Sequence, residues 1–347
     1  MRMAEIARAL GLSRTTVSLT LNGKADRYGI AEATQARIQE YVEAVGYVPN
    51  YDAASLARRK TTQVGIMIPT NPQLFTEAQR AIFFGLLDQL RQQEMAPLIQ
   101  SVDQATCSQA FRFFAGKGVD HIVVIGFAAT AYCENQRDWH RLIKHRQVYF
   151  LDYLFQQQDH DPLAGLPIIR IGIDRRQAFA EALRLLTRHG HTRIAVSTGV
   201  IPFITPLKDE TAVLHLCEFK EASSPADFYE RGRRLLHDIR RLMAEEGCTA
   251  AQLRDDMMSL GLIAALNEDG IHVPDQFSVI GLDNIPAGAY ARVPLSTIEI
   301  PAGAMLTVLC ERLNTPAEGL RREDHLLPAY VIQRASVGPV PAACTAG

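Results

Sequence analysis

The chain has 347 residues, of which 47% are hydrophobic and 21% charged, and its formal net charge at pH 7 is −2. This length allows two or three domains with ample cores, and the composition is that of an ordinary soluble globular protein, not of a disordered or fibrous one. No apolar run could span a membrane, no signal peptide follows Arg2, and the six scattered cysteines form no CxxC pair, so we expect a cytoplasmic protein without disulfides or a zinc site.

Two short helical patterns meet at Gly11. The first, Met3–Leu10, places Ile6 and Leu10 on one apolar face, and Gly11 can adopt the left-handed conformation that ends a helix. Ser13 is a good N-cap for the second pattern, Arg14–Leu21, which should bury Val17 and Leu21. The pair predicts a helix-turn-helix, with an ordinary helical hairpin as the alternative. The outward side chains that could reach a DNA groove are Arg14, Thr15, Thr16, Ser18 and Leu19.

A third helix is predicted over Gln35–Val45, with Ile38, Val42 and Val45 facing inward, and Pro49 follows it. It completes a three-helix headpiece over residues 1–48. Residues 1–60 carry nine basic and six acidic side chains, a net charge of +3, which leaves −5 for the rest of the chain. A mildly basic head on an acidic body fits contact between one end and a polyphosphate.

Pro49 separates the headpiece from a short helical pattern, Ala53–Arg58, and we expect residues 49–61 to be a linker. One and a half turns cannot be stable alone in water. The basic side chains that follow it could contact a DNA backbone; they are Arg58, Arg59 and Lys60.

From Val64 onward, short apolar runs alternate with helical patterns, which predicts a doubly wound α/β fold with strands covered on both faces. The predicted strands are Val64–Ile68, Pro97–Gln100, His121–Ile125, Val148–Leu151, Ile168–Ile171, Ile194–Ser197 and Val279–Gly281. The predicted helices are Ala78–Gln93, Ala105–Gly116, Gln136–Lys144, Gln177–Arg188, Phe228–Glu245 and Asp256–Glu268.

Three segments together resemble the lactose-repressor (LacI) family of bacterial transcription regulators. ALGLSRTTVSLTLNG resembles its recognition stretch, GYVPNYDAASLA (Gly46–Ala57) its linker and hinge helix, and VIGLDNIPAGAYARVPLSTI (Val279–Ile298) its late effector-domain signature. They occur in the family's order and extend the resemblance over nearly the whole chain.

The resemblance implies a homodimer that reads pseudo-palindromic double-stranded operator DNA, with hinge helices that fold only on DNA. It implies phosphate contacts by Tyr47 and Asn50 and a minor-groove wedge at Leu56. Packing against the headpiece is the alternative for Tyr47, and linker packing for Leu56. The candidate DNA-binding residues are Ser13, Arg14, Thr15, Thr16, Ser18, Leu19, Asn22, Tyr47, Asn50, Ala53 and Leu56. The tail, residues 339–347, has no leucine heptad to support a coiled-coil tetramer.

For residues 62–338 the resemblance implies a periplasmic-binding-protein-like core of two doubly wound parallel α/β lobes. Lobe one is expected over about 62–163 and 296–320, and lobe two over about 164–295 and 321–338, with crossings near Leu163, Leu295 and Leu320. A ligand would lie between the lobes, at the carboxyl ends of the strands.

The resemblance places four candidate effector contacts at strand ends: Phe75, Asp152, Asp255 and Asp283. Carboxylates can accept hydrogen bonds from the hydroxyls of a sugar or pair with a cationic ligand. Structural roles are the alternatives, since Asp256 could cap the helix Met257–Glu268 and Asp283 a turn before Pro286.

The chain departs from the family at several positions. Thr198–Cys217 shows no pattern for the usual arginine-bearing helix, Arg175 and Asp255 stand where asparagines are usual, and Leu19 replaces a polar base-reading residue. A leucine can pack on a thymine methyl but cannot donate to a base. The effector should therefore be unusual, or the response to a small molecule weak or absent.

We expect a transcriptional repressor and not an enzyme, with no cofactor and no metal. A solute-binding protein and an α/β enzyme are the alternatives. A solute-binding protein would need a signal peptide, which we do not find. An α/β enzyme would need a catalytic motif, and we find no P-loop, no GxGxxG after a strand, no GxSxG and no HExxH. His189 and His191 around Gly190 indicate a helix C-cap more than a metal pair, and a catalytic pair among Asp255, Asp256 and Asp283 has no support.

Overall fold

The structure, a computed structural model, describes residues 3–21, 23–47, 63–70, 75–103, 105–126, 141, 143, 145–152, 166–197, 200, 215–219, 227–314 and 321–341. The chain divides into an N-terminal unit, Met1–Thr62, and a C-terminal unit, Gln63–Gly347. Several predictions lie wholly or mostly outside the described residues: the helix Gln136–Lys144, the hinge helix Ala53–Arg58, and the stretch Thr198–Cys217.

The N-terminal unit contains three helices, α1 (Met3–Leu10), α2 (Arg14–Leu21) and α3 (Glu32–Ala44). Their buried core consists of Ile6, Ala7, Val17 and Ile38. The predicted turn between α1 and α2 is confirmed: Gly11 has a φ of +65°, and the Leu12 amide donates to the Ala7 carbonyl at 2.9 Å.

Two details of this unit differ from the sequence prediction. Val45 was expected to face inward but is 37% exposed, because α3 ends at Ala44 and Val45 no longer follows the helical face. Leu21 is only half-buried, and Thr20 takes the buried position, since its hydroxyl donates to the Thr16 carbonyl at 3.0 Å.

The C-terminal unit contains two six-stranded sheets. The first has the order β11-β5-β4-β3-β1-β2 and is parallel throughout. Its strands are β1 (Gln63–Pro69), β2 (Ala96–Val102), β3 (His121–Ile125), β4 (Gln147–Leu151), β5 (Ile168–Ile173) and β11 (Glu323–Leu327).

The second sheet has the order β12-β10-β9-β8-β6-β7, and only the β10–β12 pair among these described strands is antiparallel. Its strands are β6 (Arg193–Ser197), β7 (His215–Phe219), β8 (Ala250–Gln252), β9 (Ser278–Asp283), β10 (Ser296–Glu299) and β12 (Tyr330–Ile332). The parallel α/β prediction is confirmed for both sheets.

The helices of this unit connect the strands and cover the sheets. They are α4 (Glu77–Gln92), α5 (Cys107–Gly116), α6 (Arg175–Arg188), α7 (Phe228–Arg234), α8 (Leu236–Glu246), α9 (Asp256–Glu268), α10 (Pro286–Ala289) and α11 (Ala302–Asn314). The single helix predicted over Phe228–Glu245 is two helices that meet at Leu235. Among the described residues, no helix has the length and apolarity needed to cross a bilayer.

The chain crosses between the sheets later than the sequence predicted. Because β5 pairs with β4, the first sheet continues past Leu163, and the first crossing runs through α6. The second crossing follows β10, near Ile300 instead of Leu295, and the third falls between β11 and β12, after Leu327 instead of near Leu320. The sequence of an apolar strand such as β5 does not indicate which sheet it joins. The crossings expected from the resemblance were therefore displaced from those in the structure.

Helices α7 and α9 cross at two glycines. A Cβ atom built on Gly232 would overlap the Met258 carbonyl oxygen, and one built on Gly261 would overlap the Tyr229 carbonyl oxygen. The two backbones are therefore in contact, and each glycine is the only residue type that fits its position without a shift of a helix.

We predict that Gly261→Ala lowers the free energy of unfolding of the C-terminal unit by about 2–3 kcal/mol, because the methyl group separates α7 from α9. The matched control is Gly303→Ala in α11, where nothing lies within 4 Å of the added Cβ, and where alanine should be neutral or slightly stabilising. Urea denaturation followed by circular dichroism measures both. Equal midpoints for Gly261→Ala and the wild type would contradict the close packing.

Candidate effector cleft and DNA-binding surface

Polar side chains gather where the strands of both sheets end. Asp152 directly follows β4 of the first sheet, and Asp283 is the last residue of β9 in the second. Both are buried, and their carboxylates are close enough to influence each other electrostatically. We call the space between these strand ends the cleft. The cleft residues are Gln79, Asp152, Arg175, Gln252, Asp255, Asp256 and Asp283.

A buried ion pair joins the two lobes at the cleft. The Arg175 Nη2 atom lies 2.7 Å from the Asp152 Oδ1 atom, and both side chains are more than nine-tenths buried. Arg175 begins α6, which packs against β8, β10 and β12 of the second sheet. The pair therefore links a strand end of the first sheet to a helix of the second lobe, and loss of either partner alone would cost about 3–5 kcal/mol.

The other oxygen of Asp152 is held by the first lobe. The Gln79 Nε2 atom donates to Asp152 Oδ2 at 3.0 Å. Gln79 is itself fixed by a capping box with Thr76 at the start of α4. Phe75 precedes this cap and is buried against Phe83, edge to face at 6.0 Å. Phe75 and Asp152 thus lie in one region of the first lobe, as their prediction as effector contacts requires.

Asp256 ties three elements of the second lobe together. Its Oδ1 accepts a hydrogen bond from the Thr297 hydroxyl at 2.6 Å, and its Oδ2 accepts one from the Ile285 amide at 3.0 Å. Burial raises the pKa of the Asp256 carboxyl to about 6, against the opposing effect of these hydrogen bonds. Added atoms would not fit here, because a Cβ on Gly281 would overlap Asp256 Oδ1.

Asp255, and not Asp256, caps helix α9. The Asp255 Oδ1 atom accepts from the Met258 amide at 3.0 Å, while the Asp255 carbonyl accepts from the Ser259 hydroxyl at 2.9 Å. The alternative prediction that Asp256 caps this helix is therefore wrong by one residue. Helix start signals commonly leave such an ambiguity when two aspartates are adjacent.

Asp283 is the most strained of the cleft aspartates. Its φ is +126°, a region that favours glycine, and the following Asn284 also has a positive φ. Burial raises the pKa of the Asp283 carboxyl well above its usual value, and nearby carboxylates add to that shift while the Arg175 guanidinium opposes it. The contributing carboxylates are Asp255, Asp256 and Asp152. The turn before Pro286 is held by Asp256 through the Ile285 amide.

Several buried polar atoms of the described residues have no hydrogen-bond partner. Among them are both amide atoms of Gln252, the Nε of Arg175 and the Oγ of Ser197. Gln252 ends β8 and Ser197 ends β6, so both lie at the carboxyl edge of the second sheet. The sequence analysis did not select Gln252, Ser197 or Gln79. The sequence does offer one signal for Gln252 and Ser197, because each is a polar residue at the end of a short apolar strand.

The histidines near the end of α6 have structural roles. His191 is buried, with Nδ1 2.8 Å from the Thr249 hydroxyl and Nε2 3.0 Å from the Gly338 carbonyl. His189 is the C-cap of α6, and Gly190 follows with a φ of +89°. The interpretation as a helix cap is confirmed. Within the described part of the chain, no group of three His, Cys, Asp or Glu side chains is placed to hold a metal ion.

The N-terminal unit presents part of the predicted DNA-binding surface. Ser13, Arg14 and Thr15 are exposed at the start of α2, and the Ser13 hydroxyl accepts from the Thr16 amide at 3.0 Å as the predicted N-cap. Tyr47 is half-buried against the core of this unit, which fits the packing alternative. Half-buried positions on α2 are Thr16, Ser18 and Leu19. Outside the described residues lie Asn22, Asn50, Ala53 and Leu56.

Two family models match the chain. The model described as bacterial regulatory proteins, lacI family, matches residues 2–50, and that of the periplasmic binding protein-like domain matches residues 183–337. The chain is 28% identical to the HTH-type transcriptional regulator MalR of Streptomyces coelicolor, over 98% of the chain and 97% of the relative. It is 26% identical to the HTH-type transcriptional repressor PurR of Vibrio atlanticus, over 86% of each.

Solved structures share the fold. The lac repressor dimer bound to operator and the anti-inducer ONPF matches with a TM-score of 0.78 at 18% identity, covering 97% of this chain and 99% of that one. The complex of the transcriptional regulator CelR with cellobiose matches with a TM-score of 0.60 at 17% identity, with the same coverage. At these identities the matches support the architecture of both units.

We predict that Asp256→Asn removes part of the pH dependence of stability. The raised pKa means that Asp256 stabilises the fold below about pH 4, and that this contribution is lost as the pH rises through about 6. The stability of the variant relative to the wild type should therefore increase by roughly 2–3 kcal/mol between these pH values. Urea denaturation across pH 4–8 measures this, with exposed Asp275→Asn as the control. A constant difference across that range would contradict the burial of an ionisable Asp256.

Proposed function

The chain belongs to the LacI family of bacterial regulatory proteins, whose members are DNA-binding transcriptional regulators with an effector-binding domain and not enzymes. We therefore propose that it binds operator DNA and represses transcription. It acts as a homodimer in the cytoplasm, where bacterial operator DNA lies, and a small polar molecule such as a sugar modulates its operator affinity from the cleft. The domains are the headpiece 1–48, the linker 49–61, and the core 62–338 with its tail.

The observation that carries the proposal is the exposed start of α2. Ser13, Arg14 and Thr15 lie on the surface of a capped helix that a tight turn joins to α1. Hydroxyls and a guanidinium at the N-terminus of a second helix can contact phosphates and base edges in the major groove. Leu19, which is half-buried, would contribute a thymine-methyl contact.

The dimer follows from the DNA geometry proposed for this chain. Each headpiece reads one half-site, and a hinge helix of one and a half turns requires a partner and DNA to fold. Leu56 would enter the minor groove as an apolar wedge beside its symmetry mate. The lac repressor dimer bound to operator, which shares the fold, supports this arrangement.

The mechanism we propose is linkage between cleft and operator. Folding of the hinge on DNA favours one arrangement of the two lobes, and a ligand in the cleft favours another. The ligand can change operator occupancy only by its differential affinity for the two arrangements. The Asp152–Arg175 pair, which joins the lobes, is the described contact best placed to respond to such a change.

We predict that Leu56→Ala weakens binding to a selected operator at least tenfold, because the kinked duplex loses its apolar wedge. Purified full-length protein is titrated against duplexes selected from a random pool and against random-sequence duplexes, at about 50 mM and about 200 mM salt. Binding should be sequence-dependent and should fall steeply with salt. The control is Leu326→Ala, an exposed leucine of β11. Equal affinity for all duplexes would contradict the proposed function.

A further inference from the structure

The cleft holds more negative charge than its one described ion pair offsets. Four buried aspartates interact electrostatically there. The Arg175 guanidinium opposes the raised pKa of Asp283, and the Arg334 guanidinium, which donates to Asn284, opposes that of Asp256. Taking several carboxylates out of water at close range is unfavourable unless protons or cations neutralise them.

Three of the four aspartates have structural partners. Asp152 accepts from Arg175 and Gln79, Asp256 accepts from a hydroxyl and an amide, and Asp255 caps α9. Asp283 differs, because among the described residues no group donates a hydrogen bond to its carboxylate. Its strained φ of +126° holds this carboxylate at the end of β9. Asp283 is thus the aspartate available to a ligand.

The partnerless atoms of Gln252 and Arg175 point to the same place. Gln252 pairs in register with Ile280, and its side chain lies on the sheet face that α6 covers, since Ala250, Ile280 and Phe179 share one core cluster. Helix α6 begins at the carboxyl edge of that sheet with Arg175. The amide of Gln252, fully buried, and the Nε of Arg175 therefore offer two donors and an acceptor at the cleft without protein partners.

We propose that the effector is a small organic cation whose protonated amine binds Asp283 and whose hydroxyl or carbonyl groups bind Gln252 and the Nε of Arg175. This rests on the cleft being the effector site, as in the proposed function. An ammonium donates up to three hydrogen bonds, and charge-assisted bonds to a carboxylate are about twice as strong as neutral ones. Asp152 already accepts the Arg175 guanidinium at 2.7 Å, so one carboxylate of this cleft is paired with an organic cation.

A neutral sugar would fit this cleft less well. Its hydroxyls could satisfy Gln252, but they carry no charge, so Asp283 would have to stay protonated or keep its negative charge among three other carboxylates. A metal ion is not the better alternative, because the described residues contain no group of three ligands placed to hold one. An amine with hydroxyls, such as an amino sugar, meets both requirements.

The proposal implies that binding displaces a proton. Burial and neighbouring carboxylates raise the pKa of Asp283, so in the empty cleft this carboxyl retains its proton to a higher pH than an exposed aspartate does. An ammonium binds the ionised form, and the affinity should rise with pH while the amine remains charged. The charged groups that act on Asp283 are Asp152 after β4, Arg175 of α6, and Asp255 and Asp256 at the start of α9. Arg334 and Glu299 both hydrogen-bond to the neighbouring Asn284.

The test is isothermal titration calorimetry on the full-length protein with matched pairs of probes. The pairs are glucosamine and glucose, galactosamine and galactose, and putrescine and 1,4-butanediol. We expect at least one amine to bind at least tenfold more tightly than its neutral partner. Titrations in buffers of different ionisation enthalpy should show that binding of this amine releases up to one proton from the protein. Binding of its neutral partner should release none.

Two variants test the assignment of residues. Asp283→Asn, which tolerates a positive φ, should weaken amine binding at least tenfold and abolish proton release, whereas exposed Asp275→Asn should change neither. Gln252→Leu removes two buried atoms that have no partner, so it should keep the melting temperature and still weaken binding. Retained stability with weaker binding would separate a ligand contact from a structural role.

Operator titrations of the same samples separate this proposal from the proposed function. If operator binding is sequence-specific but no amine of the set binds, or a neutral partner binds as tightly as its amine, the cationic effector is wrong and the repressor assignment stands. Unchanged amine affinity in Asp283→Asn would also overturn it. If no operator is selected at all, the proposed function fails independently of the calorimetry.

Discussion

The buried ion pair between Asp152 and Arg175 is the contact on which the arrangement of the C-terminal unit depends. It lies where β4 ends and α6 begins, so one guanidinium connects the first sheet to a helix that packs on the second. A buried pair is stable only when both charges and their remaining hydrogen-bonding positions are satisfied. Gln79 supplies that second partner for Asp152, but one nitrogen of Arg175 has none. The lobes are thus joined by an interaction that a ligand could complete or replace.

The strain in the cleft is concentrated where the two sheets approach each other. Asp152 and Asp283, one at a strand end of each sheet, both have positive φ angles. Such residues persist only where the surroundings hold them, and they commonly mark ligand contacts or switches. By contrast, Asp256 is fully engaged by a hydroxyl and an amide of its own lobe and holds the turn between β9 and α10. The aspartates of one cleft therefore have different roles.

Sequence reasoning found the elements whose physics is local. Gly11 and Ser13 predicted the turn and the cap of α2, and the apolar runs predicted seven strands to within about two residues. It missed β8, β10 and β12, because strands of three or four residues give no periodic signal. It also missed the five-residue strands β7 and β11, which contain charged residues and so form no apolar run. It also misplaced the lobe crossings and did not select Gln252, since sheet membership and the lack of a hydrogen-bond partner arise from contacts between residues distant in sequence.

We propose that the state of the cleft sets operator affinity through the contact between the lobes. The most direct test is the operator dissociation constant of the double variant Asp152→Asn/Arg175→Gln, which removes the ion pair without leaving an unpaired buried charge. Neither residue belongs to the N-terminal unit, yet we predict a change of at least fivefold, the lower end of typical allosteric coupling. A folded double variant with the operator affinity of the wild type would contradict the claim.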